Sequence, residues 1–200
     1  MENVSALRDA EKELFELTQK VAALRRDQAS QEVKNYTFRS TAGAVNLYDL
    51  FGDKDQLIII HNMGQGCRYC TLWGDGINGF VSHIESVCSL VLVSKDRPDV
   101  QRRFANERGW RFNMLSHGGG EYIKDQSVVA GEENMPGIVC YQKVGTKVYR
   151  KNSAAFGPGD EFCSMWNILS LAGVSSSDWT PQYSYWSRPE HMDDGGENIQ

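Results

Sequence analysis

Two cysteines separated by two residues, Cys67-Arg68-Tyr69-Cys70, are the side chains here whose type and spacing best fit a chemical task. A dithiol at this spacing can close a disulfide across one helical turn, and either thiol can release a mixed disulfide held by the other. The pair follows the most apolar run of the chain, Leu57-Ile58-Ile59-Ile60, after a short segment ending at Gly66. A buried strand, a short loop and a C-x-x-C at a helix start place unpaired backbone N–H groups where they favour a thiolate over a thiol. A cysteine so placed titrates at about 3.5–7.5 instead of ~8.5. Cys67 reads as the exposed nucleophile and Cys70 as the more buried resolving thiol, with the charge of Arg68 adding to thiolate stabilisation.

Other readings of these residues stay open at this level. A C-x-x-C is also half of a zinc site. The other half would have to recruit isolated residues such as His61, His117 or Cys140, because the chain has no second C-x-x-C and no histidine pair at ligand spacing. Trp73 and Asp75 follow the pair within two turns. The indole could keep water from the sulfurs and the carboxylate could take a proton from the resolving thiol; equally, they are a core tryptophan and a helix-end aspartate. His117, beside Gly118-Gly119-Gly120, reads as a solvated loop histidine in preference to a mobile acid–base group. Cys88, Cys140 and Cys163 sit alone in apolar surroundings and read as buried structural thiols.

The elements that must hold the pair can be read in order. Leu7, Ala10, Leu14, Leu17, Val21 and Leu24 recur at spacings of 3 and 4, so residues 5–28 predict an amphipathic helix. Its heptad stripe is either a dimerising coiled coil or a face docked on its own domain, and a parallel pair would bring Lys20 near Arg25 of the partner. Alternating residues around Ser40–Gly43 predict a hairpin, and Leu47–Phe51 a helical turn. Gln56–His61 lacks alternation and predicts a central strand buried on both faces. Glycines 64, 66, 74, 76 and 79 suggest a mobile surround for the cysteine pair. Ser89–Ser94 predicts a strand, Asp96-Arg97-Pro98-Asp99 a capped helix start, and Gly109 the end of that helix. Trp110–Leu115 reads as a strand and Glu121–Asp125 as one helical turn.

Met135-Pro136 then precedes an apolar strand that turns at Gly145 into a second one, and Asp160 reads as the cap of a last helix reaching Ala172. Trp179, Tyr183, Tyr185 and Trp186 are expected to pack on the body. Strand, C-x-x-C helix, strand, helix, strand, hairpin and final helix make one α/β sequence with a parallel crossover followed by an antiparallel pair. That order is the thioredoxin arrangement, a central mixed sheet flanked by helices. It gives an N-terminal helix over 1–34, the thioredoxin-like domain over 35–173 and an aromatic-containing tail over 174–200. Within it Pro136 falls where a cis-proline faces the cysteines and leaves the backbone of Met135 to pair with a substrate chain; an ordinary trans proline at a strand start is the alternative.

Composition narrows the partners. A net charge of −5 with no long basic run argues against nucleic acid as the main partner. No apolar run reaches the ~20 residues of a membrane helix. An odd count of 5 cysteines, with one paired motif, fits cytoplasmic thiols better than a secreted disulfide framework.

The run Gly66-Cys67-Arg68-Tyr69-Cys70-Thr71-Leu72-Trp73-Gly74-Asp75-Gly76 resembles the G-C-x-x-C-S-x-W-A-D-G signature of a bacterial family of unknown function, labelled as dithiol-disulfide oxidoreductases of thioredoxin-like fold. The similarity extends to the charged N-terminal helix, Val45–Phe51, Gly109-Trp110-Arg111-Phe112 and Met135-Pro136-Gly137. The resemblance implies a thiol-based activity at Cys67 and Cys70. Arg68, Tyr69, Trp73 and Asp75 lie around the pair, and Met135 and Pro136 are candidates for positioning substrate. Thr71 and Gly74 replace the usual serine and alanine, and Gly157-Pro158-Gly159-Asp160 stands where an Arg-Gly often occurs. The chain is more distantly similar to peroxiredoxins but lacks their Pro-x-x-x-Thr-x-x-Cys motif. The expected reaction is thiol–disulfide exchange without metal or organic cofactor, on a protein or small-molecule disulfide, with a second dithiol as electron donor. A C-x-x-C peroxide reductase and a non-catalytic binding module are the alternatives.

Overall fold

The computed structural model describes residues 2–182. Its centre is an eight-stranded mixed sheet in the order β1-β8-β7-β4-β5-β6-β2-β3. The strands are β1 (Gln31–Val33), β2 (Thr37–Ser40), β3 (Gly43–Asn46), β4 (Gln56–His61), β5 (Ser89–Ser94), β6 (Asn113–Ser116), β7 (Gly137–Val144) and β8 (Lys147–Ala155). β4, β5 and β6 are parallel, and β7 joins β4 antiparallel with Gly137 opposite His61. Helices α2 (Arg68–Asn78) and α3 (Val81–Glu85) lead from β4 to β5, and α4 (Pro98–Arg108) leads from β5 to β6. The helix α1 (Glu2–Asp27), the short α5 (Glu121–Asp125) and α6 (Ser164–Leu171) complete the α/β thioredoxin-like fold.

The central strands have no polar face, as their lack of alternation requires, so the sheet carries a core on each side. Leu57, Ile59, Val91, Val93, Leu115, Val139 and Tyr141 point to one core, together with Phe38, Leu47, Phe51 and Tyr122. Ile60, Leu90, Leu92 and Met114 point to the other, beneath α2, α4 and α6. This second core is aromatic: Trp73 stacks on Phe156 with ring centroids 5.2 Å apart and meets Trp166 edge-on at 6.5 Å. Trp166 also packs against Trp179 at 6.0 Å, as expected of the tail; Tyr183, Tyr185 and Trp186 lie outside the described residues.

Some elements depart from the sequence reading. β1 pairs with β8, a three-residue strand too short to leave a periodic signal. The strand expected over 110–115 is confined to Asn113–Ser116, because Trp110 turns into the aromatic core and is buried there. Asp160 does not cap a helix from residue 161; its carboxylate accepts N–H bonds from Gly157, Phe162 and Cys163, closing a turn one step before α6.

α1 does not dock along its own domain. Its residues from Ser5 to Lys20 are exposed, and only Val21, Ala22 and Ala23 are half-buried. The attachment is at its C-terminal end. There Arg25 bonds Glu161 at 2.6 Å and lies 5.7 Å over the Phe162 ring, and Asn152 donates to its carbonyl at 3.0 Å. No helix among the described residues is long and apolar enough to cross a membrane.

Candidate active site

The C-terminal end of β4 runs through Asn62–Gly66 into Cys67, which is the N-cap residue of α2 with extended backbone (φ −93°, ψ 104°). Three features shape this connection. Gly64 adopts φ 122°, a left-handed conformation costly for other residues, and the Cys67 N–H returns to its carbonyl at 3.0 Å. Asn62 Oδ1 accepts from the Gly64 N–H at 2.8 Å. The Gln65 N–H donates to Asp96 Oδ2 at 2.7 Å, from just beyond the parallel neighbour β5. The loop is therefore clamped between two adjacent strand ends.

Cys67 and Cys70 form a disulfide in this structure, with Cα atoms 5.2 Å apart, inside the range such bonds occupy. Each sulfur also receives a backbone N–H. Cys67 Sγ accepts from Cys70 N–H at 3.1 Å, and Cys70 Sγ accepts from Met63 N–H at 3.4 Å. Donors of this kind hold a sulfur more strongly when it carries charge than when it is neutral. The expected contrast between an exposed Cys67 and a buried Cys70 is absent, since the two are 4% and 3% exposed. The N-cap position turns the Cys67 side chain inward over the first turn of the helix, and the disulfide holds both sulfurs there.

The neighbouring candidates divide. Arg68 and Tyr69 are half-buried on the first turn of α2, with the guanidinium 5.8 Å over the phenol ring. Tyr69 continues into the Trp73 and Trp166 cluster at 6.1 and 6.4 Å, so the helix bearing the dithiol is bedded on aromatic rings. Asp75 has another occupation. Arg108 Nε donates to its Oδ1 at 2.9 Å, Arg108 Nη2 to its Oδ2, and Trp110 Nε1 to its Oδ1 at 2.7 Å. It lies five residues beyond Cys70, about 7.5 Å of helical rise, and ties α2 to α4. Gly74 is not there for mobility either. A Cβ at that position would come within 2.5 Å of the Trp110 ring, so the helix needs glycine to pass beneath it.

Met135 is half-buried and Pro136 buried, at the same sheet end as the cysteine loop because Gly137 pairs with His61. There are no cis peptide bonds among the described residues, so the expected cis-proline is trans. Pro136 sits just ahead of β7, where no ladder N–H is needed, and its carbonyl accepts from Phe156 N–H at 2.9 Å.

His117 is buried rather than solvated. Its Nδ1 accepts the Gly119 N–H at 3.1 Å, and burial lowers its pKa to about 4, helped by the charge of Lys95. His61 is fully enclosed. Its Nε2 lies 2.8 Å from Tyr122 Oη, its Nδ1 has no partner among the described residues, and burial, then His117 and Arg150, lower its pKa to about 3. Both are neutral imidazoles at pH 7. Among the described residues no group of three histidine, cysteine or carboxylate side chains is placed to hold a metal ion. Cys88 and Cys140 are half-buried and Cys163 is buried. Burial raises the pKa of all three, that of Cys140 to about 11, so they are poor nucleophiles.

Sequence reasoning missed two contributors. In the sequence Asp96 reads as part of a helix start, but Arg97 takes the N-cap position of α4 and Asp96 instead holds the cysteine loop. Its only trace in the sequence is a carboxylate just past a parallel strand next to the one bearing the dithiol. The other is a chain of buried polar groups on the sheet face away from α2. Tyr122 links His61 to Tyr141 at 3.2 Å, Tyr141 donates to Gln126, and Gln126 donates to Tyr36 at 3.0 Å. Residues from β4, α5, β7 and the segment between β1 and β2 meet there, and no local spacing announces it.

A mixed sheet with helices on its flanks and a disulfide-forming C-x-x-C at the start of the helix after the first parallel strand is a thioredoxin-like protein with a redox-capable site. Solved structures agree on the fold. A Cys-to-Ser variant of PrxQ from Xylella fastidiosa aligns with TM-score 0.55 at 14% identity, covering 72% of this chain and 96% of that one. The bacterioferritin comigratory protein of Xanthomonas campestris, described for its alkyl peroxide reduction activity, aligns with TM-score 0.50 at 13% identity, covering 68% and 88%. A yeast mitochondrial 1-Cys peroxiredoxin, described as resolved through glutathione and thioredoxin systems, aligns with TM-score 0.51 at 11% identity, covering 76% and 82%. No curated protein matches the sequence. The chain belongs to the family described as bacterial protein of unknown function (DUF899), whose model matches residues 2–191.

Proposed function

We propose that this protein is a thiol–disulfide oxidoreductase whose working groups are Cys67 and Cys70. The observation that carries the reading is the disulfide between them at the α2 N-terminus, with a backbone N–H directed at each sulfur. In the reduced protein the Cys67 thiolate attacks one sulfur of a substrate disulfide. A Cys67–substrate bond forms and the other substrate sulfur leaves as a thiolate. Cys70, deprotonated, then attacks Cys67 Sγ and expels the second substrate thiolate, so two electrons pass to the substrate and the Cys67–Cys70 disulfide is formed. A second dithiol system of the cell reduces the pair again. Arg68 adds positive charge beside the thiolate, Tyr69 and Trp73 hold the helix rigid, and Asp75 fixes α2 against α4. Met135, ahead of Pro136 at the same sheet end, offers backbone for a substrate chain. The site of action we assign is the cytoplasm, where such thiols stay reduced.

The peroxiredoxin neighbours favour one second reading. Cys67 thiolate would attack a peroxide oxygen, releasing an alcohol or water and becoming a sulfenic acid. Cys70 would condense with it, releasing water and forming the same disulfide.

The test is the pH dependence of alkylation at Cys67 in reduced protein, with a Cys70→Ser variant beside it. The expected apparent pKa is below about 7.5, as for other C-x-x-C helix starts. An unreactive Cys67, or one titrating like a free cysteine, would replace both readings with a non-catalytic binding module. If the thiolate is present, oxidation of the reduced pair by a model disulfide and by hydrogen peroxide, followed side by side, separates exchange from peroxide reduction.

A further inference from the structure

The longest helix of the protein presents an apolar stripe to solvent along most of its length, with only Val21 of the stripe half-buried. Leu7, Leu14, Leu17 and Leu24 of α1 are 61%, 64%, 57% and 60% exposed, and Ala10 between them is exposed too. A helix standing off its domain has little tertiary packing to stabilise it, and isolated helices are marginal in water. Four leucines at heptad spacing along one edge are the seam of a coiled coil, and the charges beside the seam select the partner and its direction.

Leu7, Leu14 and Val21 occupy one set of heptad core positions, and Ala10, Leu17 and Leu24 the other. Glu13, Lys20 and Asp27 flank the seam on one side, and Glu11, Thr18 and Arg25 on the other. In a parallel pair each Lys20 faces Arg25 of the other copy, two like-charge contacts. Arg25 is already committed to Glu161 and the Phe162 ring of its own chain. In an antiparallel pair the layers become Leu7 with Leu24 of the second copy, Ala10 with its Val21, and Leu14 with its Leu17, each occurring twice by symmetry. Small then meets β-branched and leucine meets leucine over residues 7–24, about 26 Å of helix. Glu13 meets Lys20 of the second copy, also twice. Glu13 and Lys20 are exposed and have no intrachain ion pair among the described residues.

We propose that α1 pairs with α1 of a second copy of this chain as an antiparallel two-helix coiled coil, with Glu13 facing Lys20 across the two-fold axis. The interface is isologous and closed, so it yields a dimer and not a filament. Because each body is attached at the C-terminal end of its α1, the two bodies lie at opposite ends of the paired segment. This inference does not depend on the redox reading.

Sedimentation equilibrium of the full-length protein tests it, with near-UV circular dichroism to show that each variant keeps its fold. The wild type is expected to dimerise, and Leu14→Glu with Leu17→Glu to be monomeric with an unchanged near-UV spectrum. Lys20→Glu distinguishes direction. In the antiparallel pair it creates two Glu–Glu contacts and weakens the dimer about tenfold, and adding Glu13→Lys restores it. In a parallel pair the same change relieves the repulsion with Arg25 and tightens the dimer. A wild-type monomer at the highest soluble concentration, a dimer indifferent to the two leucine changes, or a dimer tightened by Lys20→Glu overturns the proposal.

Discussion

The two faces of the sheet are built on opposite principles. Beneath α2, Trp73, Phe156, Trp166 and Phe162 fill the space with rings, and the indole N–H groups of Trp73 and Trp166 are buried without an acceptor among the described residues. On the other face, His61, Tyr122, Tyr141, Gln126 and Tyr36 are joined by hydrogen bonds within an apolar surround. The aromatic face depends on shape and dispersion, which do not respond to pH. The polar face keeps its histidine neutral at a price in proton affinity. The dithiol stands on the aromatic side, so the helix that holds it is insulated from the titrating side by the strands themselves.

The strongest perturbation of this contrast is Trp73→Ala. Removing an indole stacked on Phe156 from a filled core is expected to lower stability by about 3–5 kcal/mol. Urea denaturation at pH 7 and pH 5 should give the same loss at both, since no titrating group is involved. A loss much larger at pH 5 would mean that the two faces are coupled.

Gly74→Ala attacks the same face by overfilling it. The added methyl meets the Trp110 ring, so a loss of about 1–3 kcal/mol is expected. Trp110→Phe in the same chain should recover part of it. Equal losses in the two backgrounds would show that the close approach is not the cause.

On the polar face the readout is pH. His61 titrates at about 3 in the fold and near 6.5 unfolded. Between those values the unfolded chain binds the extra proton, so stability falls as pH drops from about 6.5 and stops falling below about 3. At pH 5 this one histidine is expected to cost about 2 kcal/mol relative to pH 7.5. Chemical denaturation of His61→Gln across this range should show a shallower slope; an unchanged slope would assign the effect elsewhere.

The smallest expected effect on stability is that of Asp96→Ala, which removes the acceptor for the Gln65 N–H at the partly exposed loop. Denaturation should shift by about 1 kcal/mol or less. Alkylation of Cys67 should slow several-fold, with a higher apparent pKa, because the loop no longer fixes the helix start. Unchanged reactivity would confine Asp96 to a local structural role.

The legibility of the protein in its sequence follows the range of the interactions involved. The strand Gln56–His61, the strand Ser89–Ser94, the helix Pro98–Arg108 ended by Gly109 and the turn Glu121–Asp125 were all readable. Each is specified by neighbours a few residues apart: apolar runs, a proline at the first helical position, a glycine with positive φ. The same holds for the C-x-x-C, whose disulfide needs only one helical turn. Tertiary structure decided what depends on residues far apart in the chain. It buried His117, engaged Asp75 with Arg108 and Trp110, left Pro136 trans at the entry to β7, and brought Asp96 onto the cysteine loop. It also gathered the tyrosine network from three elements and the segment before β2, and left most of the α1 stripe uncovered. Local spacing reports which face of an element is apolar, whereas only the packed chain determines what that face meets.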